Sequence, residues 1–297
     1  MKIIITGASG FLGKIILQYY PKNHHIITVG LKNSDSVKCD LAETIPKLPQ
    51  SQLVIHAAGK AHTVPKSKQE KEMFFKVNLQ GTINLLKGLE QCENLPVAIV
   101  FISTVAVYGL AKGENIDENY PLNGFTPYAL SKIEAEKVLL DWCNKNKVKI
   151  TILRLPLVAG PNPPGNLGAI IRAIKKGYYF RIGDGSARRS LVLAEDVAQI
   201  IEKIVEYGGV YNLTDGHHPS FKETELCIAK QLNRTYIPSI PYDLTKVLAK
   251  IGDYIPFSPL DSNRLFKIIS TLTFSDEKAR RIIGWNPKSV LDHFKIL

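Results

Sequence analysis

A chain of 297 residues, 45% hydrophobic and 22% charged, can bury a large core and has room for a smaller second lobe. It contains no apolar run long enough to span a bilayer and no signal-peptide pattern, so the cytoplasm is the expected compartment and no membrane partner is expected. The formal net charge of +11 raises nucleic acid as a partner, but Lys and Arg are spread along the chain without an aromatic-interleaved basic motif. A solvated lysine-rich surface is the simpler reading, and no nucleic-acid partner is expected.

The chain opens with the apolar run Met1 to Thr6, then three glycines spaced three apart, Gly7, Gly10 and Gly13, and an amphipathic stretch. This reads as strand, tight turn and helix. Gly7 lets the chain leave the strand, Gly10 lets a pyrophosphate approach the backbone, and Gly13 lets the helix pack closely on the sheet. The expected ligand is a dinucleotide, although three such glycines also suit a plain flexible turn. His24 to Leu31 reads as a second strand, where a dinucleotide fold places a carboxylate for the adenosine ribose. The nearest acid, Asp35, lies beyond its end. Lys32 either faces a 2′-phosphate, favouring NADP over NAD, or is an ordinary loop lysine. Leu53 to His56 is a short strand ending in Ala57-Ala58-Gly59, small residues that admit a ligand. Glu70 to Gln91 has helical spacing and holds Asn78, an amide that needs bonded partners if buried. Val97 to Ile102 is a further strand followed by Ser103, Thr104 and Tyr108, so hydroxyls stand at a strand's carboxyl end, the edge at which open parallel sheets bind ligands. After a turn-rich stretch from Glu114 to Pro127, a strong helix begins with Tyr128 and Lys132 four residues apart. An ammonium beside a phenol on one helical face lowers the phenol's pKa and makes Tyr128 a usable acid or base.

Four cysteines, Cys39, Cys92, Cys143 and Cys227, lie far apart without metal-ligand or redox-pair spacing, and no metal is expected. A denser basic group, Arg172, Lys175, Lys176, Arg181, Arg188 and Arg189, suits a small anionic substrate carrying a diphosphate.

Taken together, the glycines, the Ala57-Ala58-Gly59 segment, Thr104 in Ser-Thr-x-x-Val-Tyr-Gly, and Tyr128 with Lys132 resemble an extended short-chain dehydrogenase/reductase of the nucleotide-sugar epimerase/dehydratase group, nearly end to end. The resemblance implies an α/β fold with a Rossmann-like doubly wound parallel sheet and a smaller C-terminal substrate lobe. It places residues 1–160, with a return segment at about 190–215, in the NAD(P)-binding domain, and 161–189 with 216–297 in the lobe. It implies NAD or NADP held by Gly7, Ser9, Gly10, Phe11, Leu12, Gly13, Lys32, the adenine-contacting pair Asp40 and Leu41, Ala57, Ala58, Gly59, Asn78, Tyr128, Lys132, and Pro156 and Val158 of a loop closing over the nicotinamide. Thr104, Tyr128 and Lys132 are the implied catalytic residues. Thr104, Asn166, Leu167, Arg189 and Arg264 are implied for a nucleoside-diphosphate sugar, UDP-linked.

The implied activity is hydride transfer at C4, as a 4-epimerase or as a 4-keto-sugar reductase using NADPH. Dehydratases of the group place an acidic pair after the Ser or Thr; here Val105 and Ala106 stand there, which disfavours dehydration. A silent cofactor-sensing or scaffold protein of the same fold is a third reading, opposed by the intact trio. A homodimer through the helices after Lys112 is a further expectation.

Overall fold

The computed structural model describes residues 1–20, 24–255, 258 and 260–296. The amino-terminal part alternates strand and helix: β1 (Lys2–Thr6), α1 (Phe11–Tyr19), β2 (His25–Gly30), β3 (Val37–Lys38), β4 (Leu53–His56), α2 (Lys68–Phe74), α3 (Gly81–Glu90), β5 (Ala98–Thr104), β6 (Gly113–Ile116), α4 (Pro127–Asn146), β7 (Lys149–Leu155) and β8 (Leu157–Ala159). The remainder is α5 (Gly165–Lys176), β9 (Arg181–Ile182), β10 (Leu191–Leu193), α6 (Ala194–Ile204), β11 (Gly209–Asn212), α7 (Phe221–Gln231), β12 (Ser239–Ile240), α8 (Tyr242–Gly252), α9 (Ser262–Ile269), β13 (Leu272–Phe274), α10 (Glu277–Ile283) and α11 (Val290–His293).

Seven strands form one sheet in the order β11-β7-β5-β4-β1-β2-β3, every pair parallel. This is the expected doubly wound, Rossmann-like α/β fold, with the order reversing beside β1. The two-residue period of each strand sorts its apolar side chains between two cores. Ile3, Ile5, Leu53, Ile55, Val100, Leu153 and Leu155 meet α1 and α6 through Ile15, Ile16, Val197 and Ile201. Ile4, Val54, Ile99, Phe101 and Ile152 face the other way, onto Leu85, Leu86, Leu89 and Leu139 of α3 and α4. Strands buried on both faces read as unbroken apolar runs, which is why they were legible.

A third cluster gathers Leu167, Ile171, Ile174, Leu191, Leu193, Ile228, Val290 and Phe294 away from the sheet, and Leu191 and Leu193 of the expected return segment share it with the residues expected in the lobe. The closing helix α10 returns to the sheet, where Ala279, Ile283 and Trp285 join the first core. Two local features differ from expectation. The segment expected as one helix from Glu70 to Gln91 is broken by a π-helical turn, Phe75–Gln80, between α2 and α3. The turn-rich stretch after Glu114 begins with β6, which pairs with β13 from far along the chain. Neither depends on local spacing.

Candidate active site

The first turn after β1 has the geometry of an anion cradle. Gly7 has φ +70°, and a Cβ there would lie 2.6 Å from the Ala58 nitrogen, so β1 and Ala57-Ala58 approach as only glycine allows. At Gly13 a Cβ would meet the Gly7–Ala8 backbone, Ala8 Cα at 2.8 Å, which holds α1 tight on the turn. At Gly10 a Cβ would meet only the Gly7 carbonyl, at 3.1 Å, so its outer side is open. Ser9 and Gly10 are exposed, and no side chain caps α1. The unpaired N–H groups of its first turn are left for an anionic ligand. Phe11 and Leu12 begin the helix half-buried, and Gly160, after Pro156 and Val158, packs on Phe11, where a Cβ would lie 3.1 Å from Cζ. The loop after β7 therefore reaches the mouth of the cradle. These features fit a dinucleotide's pyrophosphate.

At the end of β2 the structure brings in an acid that lay beyond the strand in sequence. The Lys32 N–H donates to Asp35 Oδ2 at 2.9 Å, and a Cβ on Gly30 would lie 2.6 Å from that oxygen. Asp35 thus folds back to the carboxyl end of β2, while the Lys32 side chain is exposed. Asp40 opens the next turn by accepting from the Ala42 N–H at 3.0 Å; Leu41 is buried, its carbonyl accepting from Asn84 Nδ2 at 2.8 Å.

Behind Ala57-Ala58-Gly59 runs a chain of buried hydrogen bonds with one consistent direction. The Ala58 N–H donates to Thr6 Oγ1 (3.1 Å), whose hydroxyl donates to His56 Nδ1 (2.6 Å). His56 Nε2–H donates to Thr82 Oγ1 (2.9 Å), whose hydroxyl donates to the Asn78 carbonyl (2.6 Å). Only the neutral Nε2–H tautomer satisfies every member. Burial, helped by the Lys132 charge, pushes the His56 pKa down to about 3. Asn78 sits in the π-helical turn, fully used: Oδ1 accepts from the Lys60 N–H (2.7 Å), and Nδ2 donates to the Lys60 carbonyl (3.1 Å) and to Ser131 Oγ (2.9 Å). Its amide ties the Gly59-Lys60 segment to α4.

Thr104 ends β5, and its hydroxyl accepts from the Ala106 N–H at 3.2 Å, opening the 3₁₀ turn Val105–Tyr108. Tyr128 stands in the first turn of α4, a helix started by Thr126, whose hydroxyl accepts from the Ala129 N–H, with Pro127 in first position. Burial pushes the Tyr128 phenol up, and the facing Thr104 hydroxyl partly opposes the rise. Phe74 packs on the Tyr128 ring at 6.1 Å between centroids. Lys132, one turn on, is buried; its ammonium donates to the Ile102 carbonyl at 2.7 Å and lies 4.3 Å from the Phe101 ring centroid. Burial pushes its pKa down to about 8, with Glu136 opposing. The expected lowering of the phenol by Lys132 is not what the geometry gives: the ammonium is turned to the Ile102 carbonyl at the end of β5, and burial raises the phenol instead.

Glu136 and Arg154 are functional neighbours that the sequence reading passed over. Glu136, a further turn along α4, accepts from Arg154 Nη2 at 2.7 Å and from the Ser103 hydroxyl at 2.5 Å. Arg154 Nη1 also donates to Tyr108 Oη at 3.1 Å, and that phenol donates to Asn212 Oδ1 at 2.8 Å. The signal was present: an arginine inside the apolar run of β7 requires a buried partner.

The residues expected to hold the substrate are less gathered. Leu167 is in the lobe core, whereas the Asn166 side chain is exposed at the start of α5, whose N-terminus no side chain caps. The half-buried Arg189 guanidinium donates to the carbonyls of Arg188 (2.9 Å), Ser270 and Lys267, and burial lowers its pKa to about 10. Arg264 turns onto Asp261 (3.3 Å) and the Ser258 carbonyl. In this structure both arginines serve α9 and its flanks, and the diphosphate role expected of them requires release from those carbonyls. No group of His, Cys, Asp and Glu able to hold a metal occurs among the described residues.

Comparison with known proteins agrees with this architecture. The model of the NAD dependent epimerase/dehydratase family matches residues 3–214. The N-acetyl-alpha-D-glucosaminyl-diphospho-ditrans,octacis-undecaprenol 4-epimerase of Escherichia coli O157:H7 is 30% identical over 82% of this chain and 76% of its own. The GDP-6-deoxy-D-mannose reductase of Pseudomonas aeruginosa is 26% identical over 75% of this chain and 77% of its own. Among solved structures, the UDP-glucose 4-epimerase of Thermotoga maritima with UDP-glucose superposes with a TM-score of 0.75 at 20% identity, over 98% of this chain and 96% of that one. With the glycine cradle, the Thr104, Tyr128 and Lys132 edge and a family match over most of its length, the chain belongs to the NAD dependent epimerase/dehydratase family.

Proposed function

We propose that this protein uses NAD or NADP to move a hydride at C4 of a sugar carried on a diphosphate. The observation that carries the reading is the placement at one carboxyl edge of the sheet of Thr104, which ends β5, of Tyr128 in the first turn of α4, the helix whose Lys132 bonds the Ile102 carbonyl of β5, and of the open glycine turn after β1. The nicotinamide, when bound, supplies or accepts the hydride. The chain's own residues handle the oxygen. When the sugar carbonyl is reduced, Tyr128 gives its proton to the developing alkoxide oxygen while Thr104 donates a hydrogen bond to it, leaving Tyr128 as phenolate; in the oxidative direction, with which an epimerase begins, Tyr128 must first be deprotonated, and its phenolate then takes the C4 hydroxyl proton as the hydride leaves. A phenol whose pKa is raised by burial is ready as the donor. Lys132, buried and anchored on Ile102, holds positive charge beside Gly59, where a Cβ would lie 3.5 Å from its Nζ. Asn78 keeps that segment in register with α4.

Asp35 at the end of β2 supports NAD over NADP, since a carboxylate there accepts from ribose hydroxyls and repels a 2′-phosphate. That feature favours a 4-epimerase; the reductase reading is supported by the similarity to the Pseudomonas aeruginosa enzyme. Two carriers are in view, a nucleoside and a polyprenol, because the names of the relatives specify both. The test is to incubate the purified protein with UDP-glucose, UDP-N-acetylglucosamine and an undecaprenyl-diphosphate-linked N-acetylglucosamine, following C4 configuration and reduced-cofactor absorbance. C4 inversion without net cofactor use identifies the epimerase. If none of these, nor their 4-keto forms, changes with either cofactor, the reading fails.

A further inference from the structure

The carboxyl-terminal lobe carries one face built unlike the rest of the surface. α8 buries only its small side, Thr245, Ala249 and Gly252, against the protein. Leu244, Val247, Leu248, Ile251 and Ile255 follow one another at helical spacing and remain 45–56% exposed. Tyr254 projects beside them at 89% exposure, and Phe266 and Ile269 add to the patch from α9, which packs against α8. Isolated exposed apolar residues are ordinary; a continuous stripe of large ones marks an interaction surface.

Charge says what covers it. Residues 161–189 and 216–297 hold 18 Lys and Arg against 9 Asp and Glu, so +9 of the net +11 lies in these stretches, the carboxyl-terminal ones that carry the face. Lys246 and Lys250 stand exposed on the next face of α8, and Arg264 and Lys267 on α9. Arg264 pairs with Asp261 at 3.3 Å, Asp253 accepts from Ser262, and Asp243 is the exposed acid of α8, so the net local charge of the face is carried by Lys246, Lys250 and Lys267 against Asp243 and Asp253. Docking two such lobes on each other would bring like charges together, which disfavours a second copy as the occupant. An apolar stripe flanked by lysines in a basic lobe is the pattern of a helix lying in the interface of an anionic bilayer.

We infer that the α8–α9 face docks this protein on an anionic membrane surface. No described helix is long and apolar enough to cross a membrane, so contact is by docking. The expectation of no membrane partner rested on the lack of a spanning run, which does not bear on such a face. A cavity of about 370 Å³ lies beside it, lined by Tyr242 of α8, Ile268 and Ile269 of α9, Arg181 and Phe221. Its meaning for catalysis rests on the function proposed above: a diphosphate-linked sugar carried on a lipid would be met at the surface where that lipid resides. The docking itself does not depend on that reading.

The experiment is flotation of the full chain with phosphatidylcholine vesicles, with and without phosphatidylglycerol, at low and high salt. The parent is expected to float with the anionic vesicles, less with neutral ones and less at high salt. Val247→Glu with Ile251→Glu should lower the partition coefficient at least about tenfold. Lys246→Glu with Lys250→Glu should lower it on anionic vesicles alone. All four side chains are exposed, so unchanged circular dichroism and dinucleotide binding report an intact fold. Failure of the parent to float, or equal flotation of parent and Val247→Glu/Ile251→Glu, overturns the inference. So does a dimer in sedimentation that the same double substitution dissociates, since a second copy would then cover the stripe. Flotation without activity on any diphosphate sugar would sink the functional reading and leave the docking; activity without flotation would do the reverse.

Discussion

Tyr128 illustrates how a single side chain is set by what surrounds it. Burial against Phe74 and the end of β5 raises the pKa of its phenol, and the Thr104 hydroxyl opposes part of that rise. Tyr128→Phe removes the proton route and keeps the ring. Turnover should fall roughly 10²- to 10⁴-fold with dinucleotide affinity unchanged, measured by steady-state kinetics and titration calorimetry; a parent-like rate would assign the proton to another group. His56 gives a prediction of a different kind. It stays neutral in the fold until about pH 3, whereas an unfolded histidine protonates near pH 6.5. Between those values the unfolded state binds more protons, so stability drops as pH falls through that window, by on the order of 5 kcal/mol in total. His56→Gln should flatten that slope in urea melts across the window, whatever its absolute stability; an unchanged slope would place the effect elsewhere. At this scale the sequence showed what is local. The glycine spacing and the Tyr128–Lys132 pair were legible because one turn or one helix brings them together. The Thr6–His56–Thr82 chain was not, since its bonds join residues 50 and 26 positions apart.

For the elements, what matters is how the helix bearing Tyr128 and Lys132 is held on the sheet. α4 is fixed by the Glu136–Arg154 pair, with side chains 2% and 6% exposed, and by the Ser103 hydroxyl on the same carboxylate. A buried pair adds little net stability over an apolar substitute, but removing one partner leaves a charge without compensation. Glu136→Gln should therefore destabilise by about 3–5 kcal/mol, and Glu136→Gln with Arg154→Met should recover part of the loss. Denaturant unfolding of the two single variants and the double variant measures the coupling; additive losses would show that the two residues act separately. α4 itself was legible from its start signals and periodicity. The π-helical turn was not, because it exists to place Asn78 against the Lys60 backbone, a contact that no spacing rule contains.

The molecule has two cores on the sheet and a third outside it, and the chain visits the sheet once more, at α10 and Trp285, before Val290 and Phe294 return to the third core. Trp285 is buried with Ile3, Ile55 and Val197 in the first sheet core, and its indole N–H donates to the Thr214 carbonyl at 2.8 Å, just past β11. Doubly wound topology was legible, since apolar strand runs alternated with helical periods in order; this return was not, because a Trp after a short helix suits either core. The placement makes α10 and Trp285 a strap between the third core and the cofactor-binding sheet. Trp285→Ala removes a large buried ring and should cost about 3–5 kcal/mol. Because the lost contacts belong to the sheet, secondary structure and dinucleotide binding should disappear together, in a single transition at lower denaturant concentration, followed by circular dichroism and cofactor fluorescence. Were the ring part of the lobe alone, the variant would lose substrate binding first and keep its dinucleotide through a separate later transition, and the strap would then carry no load between the two parts.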